Sequence, residues 1–179
     1  MIRWCGAALL AAIVVTPAHA QSRARAASRD FDAHALTAPP RSWPTNGGNV
    51  YNQRYSPLNE INAGNVGQLK GVWRARLRGS GAAPQYSGEA QPLVYDGVAY
   101  VSTGADDVFA LSVETGEILW QYAAKLDPAV ASVCCGWTSR GVGLGEGKIF
   151  AGMLDGRIVA LDAGSGKEQI GRASCRERV

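Results

Sequence analysis

Two adjacent cysteines, Cys134 and Cys135, stand just upstream of Arg140, with Glu89 further towards the N-terminus. Neighbouring Cα atoms lie about 3.8 Å apart, below the roughly 4.4–6.8 Å of ordinary disulfides, so an oxidised pair would strain the backbone. Such strain persists only where the surroundings enforce it, commonly at a functional site. Two ordinary buried thiols are the other reading of the same pair. Arg140 is a permanent cation with a planar fork of donors, suited to anionic oxygens. A lone arginine is more often a surface or salt-bridged residue. The remaining titratable groups offer less. His19 and His34 fall within the first 42 residues, and Asp106 and Asp155 occupy turn-like positions. No histidine is expected to serve as a metal ligand or as an acid or base.

The compartment decides how such cysteines behave. Residues 1–20 have the three-part layout of a secretory signal: Arg3, then the apolar run Gly6–Val15, then Ala18-His19-Ala20 before a cleavage point. That run is far shorter than the ~20 residues of a spanning helix, so cleavage is preferred over a retained membrane anchor. The mature chain is expected in an oxidising, periplasmic compartment, with no integral membrane segment. Cys5 leaves with the signal and precedes the apolar run, so it cannot be a lipoprotein acylation site. Oxidation of Cys134 and Cys135 to each other is the natural outcome there. Residues 21–42 read as a flexible lead-in. The closing segment 170–179, IGRASCRERV, resembles translated sequencing-adapter DNA and is expected to be non-native.

Charge excludes one class of partner. The net charge of +3 comes from Arg3 and from the arginines of the final eight residues, and the stretch between is neutral. No basic stripe remains to track phosphates, so nucleic acid is not an expected partner.

The elements that must position these residues form a repeat with a spacing of 50. Gly97-Val98-Ala99-Tyr100 corresponds to Gly147-Lys148-Ile149-Phe150, Val108–Leu111 to Ile158–Leu161, and Thr115-Gly116-Glu117 to Ser165-Gly166-Lys167. Pro92–Tyr95, the Asp96-Gly97 turn and Val98–Ser102 make a hairpin pattern, followed by strands at Asp107–Ser112 and Ile118–Tyr122. Four strands per unit is the layout of a β-propeller blade, with an open stack of hairpins as the competing arrangement. The stretch 43–169 holds about three blades, whereas a closed ring needs four to eight. The chain is therefore expected to be a fragment of an all-β propeller.

Ala110–Trp120, ALSVETGEILW, resembles the tryptophan-docking motif of quinoprotein alcohol dehydrogenases, with Trp120 packing on the neighbouring blade. Ala160–Lys167 is a second copy, with Ser165 for Thr and Ile170 where the Trp would stand. Trp43–Asn49, Arg54–Leu58 and Asn65–Leu69 are similar to the family's N-terminal segment. The resemblance implies an eight-bladed propeller using pyrroloquinoline quinone (PQQ) to oxidise a small alcohol. Electrons would pass to a cytochrome c-type or quinone acceptor. It also implies that Cys134 and Cys135 form a vicinal disulfide, one wall over the planar cofactor. Arg140 would face the quinone oxygens, and Glu89 would contact the cofactor near a carboxylate. The bound calcium or lanthanide ion and the catalytic Asp base of the family would lie on later blades, so no catalytic or metal-binding residue is assigned to this fragment. A non-catalytic propeller scaffold of the outer-membrane assembly type is the alternative. That alternative predicts a lipoprotein cysteine and no vicinal pair, the reverse of what stands here.

Overall fold

The computed structural model describes residue 37 and residues 42–80, 86–130 and 136–174. Ten strands run through them: β1 Tyr86–Gly88, β2 Leu93–Tyr95, β3 Val98–Ser102, β4 Val108–Ser112, β5 Ile118–Tyr122, β6 Trp137–Ser139, β7 Gly143–Gly145, β8 Lys148–Gly152, β9 Arg157–Asp162 and β10 Glu168–Ser174. Two antiparallel sheets of four result, ordered β2-β3-β4-β5 and β7-β8-β9-β10. Their registers match at the 50-residue spacing: Val98 pairs Ser112 as Lys148 pairs Asp162. Among the described residues no helix is long and apolar enough to cross a membrane.

Local chemistry explains the matching shape. Asp96-Gly97 and Glu146-Gly147 both adopt positive φ, at 46° and 78° and at 48° and 67°. That pair of left-handed residues gives the tight turn whose twist suits flanking antiparallel strands. The next reversal is also shared, with Gly116 N–H donating to Ser112 O and Gly166 N–H to Asp162 O, each at 2.8 Å. Even the outer bulge repeats, falling between Ala110 and Leu111 in one unit and between Glu168 and Ile170 in the other. Beyond Ile170 the second unit departs. Val108 pairs Tyr122, but Ile158 pairs Ala173 rather than position 172.

The two sheets stack face to face. Val108 and Ala110 of β4 join Ile149, Ala151, Val159 and Leu161 of the second sheet in one buried cluster. Phe109 and Leu111 point to the opposite face of β4 and are buried as well. On the other face of the second sheet Phe150 and Ile158 are exposed among the described residues.

Tryptophans set the spacing between units. The Trp120 indole donates from Nε1 to Ala163 O at 2.9 Å, and the Trp73 indole to Val113 O at 2.8 Å. Each ring lies against the turn glycine of the following unit. A Cβ on Gly166 would come within 2.5 Å of the Trp120 ring, and one on Gly116 within 2.5 Å of Trp73. Both glycines have positive φ, so they are required for backbone shape and for the ring's approach. Tyr100 adds its hydroxyl to the same Ala163 carbonyl at 3.3 Å, and burial pushes its pKa up to about 12.

The stretch 43–80 contributes this Trp73 contact rather than a four-stranded sheet. Trp43 makes a single antiparallel bridge to Val94, and Val66–Gln68 forms one 3-10 turn. Its Asn, Gly and Pro residues favour turns over a ladder. Asn49, for example, accepts from Tyr51 N–H at 3.1 Å through its own side chain.

Removing the buried indole should therefore loosen the joint between the sheets. Trp120→Ala is expected to cost about 3–5 kcal/mol in urea unfolding. Trp73→Ala should cost less, since that ring is 41% exposed against 9% for Trp120. Gly166→Ala, strained and obstructed, should cost about 1 kcal/mol or more.

Candidate functional site

β1 and β6 stand apart from both sheets and pair with each other in parallel. Each lies just upstream of the first strand of its own unit, β2 or β7, so the two are equivalent segments of successive repeats. Their register joins Tyr86 to Trp137, Ser87 to Thr138 and Gly88 to Ser139. The next residues along the two strands are Glu89 and Arg140. Two of the residues singled out in the sequence are thus delivered side by side.

Arg140 Nη2 lies 3.7 Å from Glu89 Oε2, with the side chains 85% and 54% exposed. An ion pair this open adds only about 0–1 kcal/mol to stability. Strand register, not the pair's own attraction, brings the two groups together. Both keep unused hydrogen-bonding capacity towards solvent: the guanidinium as donor, the carboxylate as acceptor. A planar, acidic, oxygen-rich ligand fits that donor set, with the fork binding oxygens and the carboxylate accepting from an N–H or acid O–H. Cys134 and Cys135 immediately precede Gly136 in the sequence; they and Cys175 lie outside the described residues.

Buried polar groups support the exposed pair. Trp137 is packed inside and donates from its indole to Val130 O at 2.7 Å. The hydroxyls of Ser139 and Ser102 lie 2.9 Å apart, both buried. Asp106, 2% exposed, accepts from Leu154 N–H at 2.6 Å. Asp107 is fully buried and faces the other way, accepting from Ser80 N–H at 2.6 Å and from Ala124 N–H at 2.9 Å.

The two turn acids therefore differ. Asp155 holds its own turn, accepting from Arg157 N–H and Nε at 3.2 and 2.7 Å. Asp106 closes the turn at Thr103 but also crosses to the second unit. Sequence reasoning missed Asp106, Asp107, Ser102, Ser139 and the docking role of Trp73. A signal existed for three of them. Asp106-Asp107 stand where the second repeat has Gly156-Arg157. Trp73 stands 47 residues before Trp120, close to the repeat length. Among the described residues no group of three His, Cys, Asp or Glu could hold a metal ion.

The family pattern described as "PQQ: Glucose/ethanol/alcohol dehydrogenase, beta-propeller domain" matches residues 43–171. The chain is 40% identical over 168 residues to the dehydrogenase subunit of an alcohol dehydrogenase (quinone) from Acetobacter aceti, covering 92% of this chain and 21% of that protein. The crystal structure of the quinohemoprotein alcohol dehydrogenase from Comamonas testosteroni superposes with a TM-score of 0.75 at 36% identity. It covers 88% of this chain and 23% of that one. A europium-containing methanol dehydrogenase gives a TM-score of 0.66 at 38% identity, over 76% of this chain and 23% of that one. The chain thus spans about a fifth of the length of the curated relative.

Burial raises the pKa of Asp106, reinforced by the nearby Asp155 and Asp107, while the hydrogen bond from Leu154 N–H opposes the shift. The folded chain then holds this proton more tightly than the unfolded chain does. The stability it contributes is complete below the ordinary carboxylate range near pH ~4 and is lost as pH rises through the raised value. Asp106→Asn should flatten that decline. Denaturation midpoints measured from pH 4 to 7 for both proteins check it.

Proposed function

The chain belongs to the β-propeller family of PQQ-dependent glucose, ethanol and alcohol dehydrogenases, and we propose that it is the N-terminal part of a periplasmic enzyme oxidising primary alcohols to aldehydes. The observation that carries this reading is the meeting of Glu89 and Arg140 at the ends of the β1–β6 pair. These are the residues at which the family resemblance expects cofactor contact. An open ion pair of little structural value is what a ligand-binding edge requires.

PQQ, when bound, supplies the two-electron acceptor for alcohol oxidation. This chain's own residues bind and orient it. The Arg140 fork would hold electron-rich oxygens of the bound cofactor and offer them a fixed positive charge. The Glu89 carboxylate accepts a hydrogen bond from an N–H or protonated carboxyl, fixing the ligand's rotation. Cys134 and Cys135, joined to each other, supply a flat polarizable wall with no competing donor. The calcium or lanthanide ion and the proton acceptor of the reaction would come from sequence beyond this chain. The names of two relatives, an alcohol dehydrogenase (quinone) and a 1-butanol dehydrogenase (cytochrome c), support a quinone or a cytochrome c-type acceptor for the electrons.

Expressing the 179-residue chain and the completed gene in parallel tests this. Each is reconstituted with PQQ and metal, and dye reduction is followed with primary alcohols. The complete protein should turn over only with PQQ, and the 179-residue chain not at all, because positioning and metal polarisation carry most of the rate. Quinone-independent turnover by the complete protein would overturn the assignment. Arg140→Ala in the complete protein should lower kcat by roughly 10²-fold, the scale of removing one charge-stabilising donor. In the same material, Cys134 and Cys135 should resist alkylation until reduced, and the mature chain should begin at Gln21 by mass spectrometry.

A further inference from the structure

The β1–β6 ladder is three residues long and belongs to neither four-stranded sheet. A two-stranded pair of that length is marginal in water by itself. Gly136 before β6 and Gly141 after Arg140 take φ 86° and 112°. The segment carrying Arg140 is thus flanked on both sides by the residue that restrains backbone direction least. The Trp137 ring lies in the core shared by both sheets, but apolar contact is non-directional. Its indole bond reaches Val130 O, seven residues back in the same segment. Something directional must fix where β6 ends.

One contact does so. The hydroxyl of Ser139, the last residue of β6, lies 2.9 Å from the hydroxyl of Ser102, the last residue of β3. Both serines are buried, where a hydroxyl costs free energy unless it is bonded, so each holds the other in place. Neither hydroxyl is a demand of the repeat. The residue equivalent to Ser102, at the end of β8, is Gly152, and the β1 residue that pairs with Ser139 is Gly88. Both of those strands form with no side chain at that point. The hydroxyls stand where one unit's strand end meets the segment leading into the next unit, one residue before Arg140.

We propose that the Ser102–Ser139 hydroxyl pair is the positioning contact that holds Arg140 beside Glu89. The pair acts through Arg140, by fixing the backbone from which that side chain springs. β3 is a firm reference for it, because β2 and β4 pair with β3 on its two sides. The pair's value to cofactor binding rests on the quinone reading above.

Two experiments separate the proposal from that reading. The first follows amide hydrogen exchange of the 179-residue chain at neutral pH, without quinone. Ser102→Ala and Ser139→Ala should each accelerate exchange in the β1–β6 ladder by about tenfold, the scale of one lost buried hydrogen bond. Ala110 in β4 and Leu161 in β9 should keep their wild-type protection. The double variant should be no worse than either single one, because both remove the same bond. At least one of Ser102→Thr and Ser139→Thr, which keep a hydroxyl, should exchange like the wild type. The second experiment titrates the complete apoprotein with PQQ. Ser139→Ala should raise the PQQ concentration for half-maximal reconstitution by about tenfold, and should add nothing further in an Arg140→Ala background. Unchanged ladder exchange, equal loss in the ladder and in β4 and β9, additive effects of the two serines, or loss in both threonine variants would each overturn the proposal. So would an effect of Ser139→Ala on PQQ that persists undiminished without Arg140. If Arg140→Ala alone leaves PQQ binding unchanged, the quinone reading fails, and the exchange experiment still decides the serine contact.

Discussion

Everything in this molecule depends on one contact: an indole lying on a glycine of the next repeat. Trp120 lies against Gly166 and Trp73 against Gly116, each indole N–H bonding the carbonyl three residues before that glycine. The contact works only because glycine leaves room and tolerates positive φ in the same turn. It converts a sequence period into a fixed step in space. With that step set, Val108 and Ala110 meet Ile149 and Val159 across the seam, and apolar burial supplies most of the cohesion.

The site follows from the step. Equivalent segments of successive units, β1 and β6, come close enough to pair in parallel, and the residues leaving them are Glu89 and Arg140. Rigidity lies beneath and openness above. Ser102, Ser139, Asp106 and Trp137 are buried and bonded, while the charged ends are exposed. Such a division lets backbone geometry be set before a ligand arrives, so that binding does not have to order the site.

Much of this was legible in the sequence because it is periodic. Strands β2 to β5 and β8 to β9 alternate or run apolar between Asp-Gly, Glu-Gly and Thr-Gly or Ser-Gly turns, and the structure places them there. β7 was not legible, since Gly143-Leu144-Gly145 has little strand propensity and pairs only because β8 offers an edge. The parallel β1–β6 pair was hidden for a different reason. Its partners are 51 residues apart, and three-residue strands carry no period. Arg140 and Glu89 were found through family resemblance, and their contact came only from the fold. Asp106 read as a turn residue because its second role lies 48 residues away, at Leu154. Departures from the repeat, rather than the repeat itself, mark such positions.

The central claim is that the open end of the β1–β6 pair receives the quinone. A crystal structure of the complete protein loaded with PQQ tests it most directly. The account predicts the quinone within hydrogen-bonding distance of both the Arg140 guanidinium and the Glu89 carboxylate, resting against the Cys134–Cys135 segment. A quinone bound elsewhere, with the Arg140–Glu89 pair closed and untouched, would contradict it.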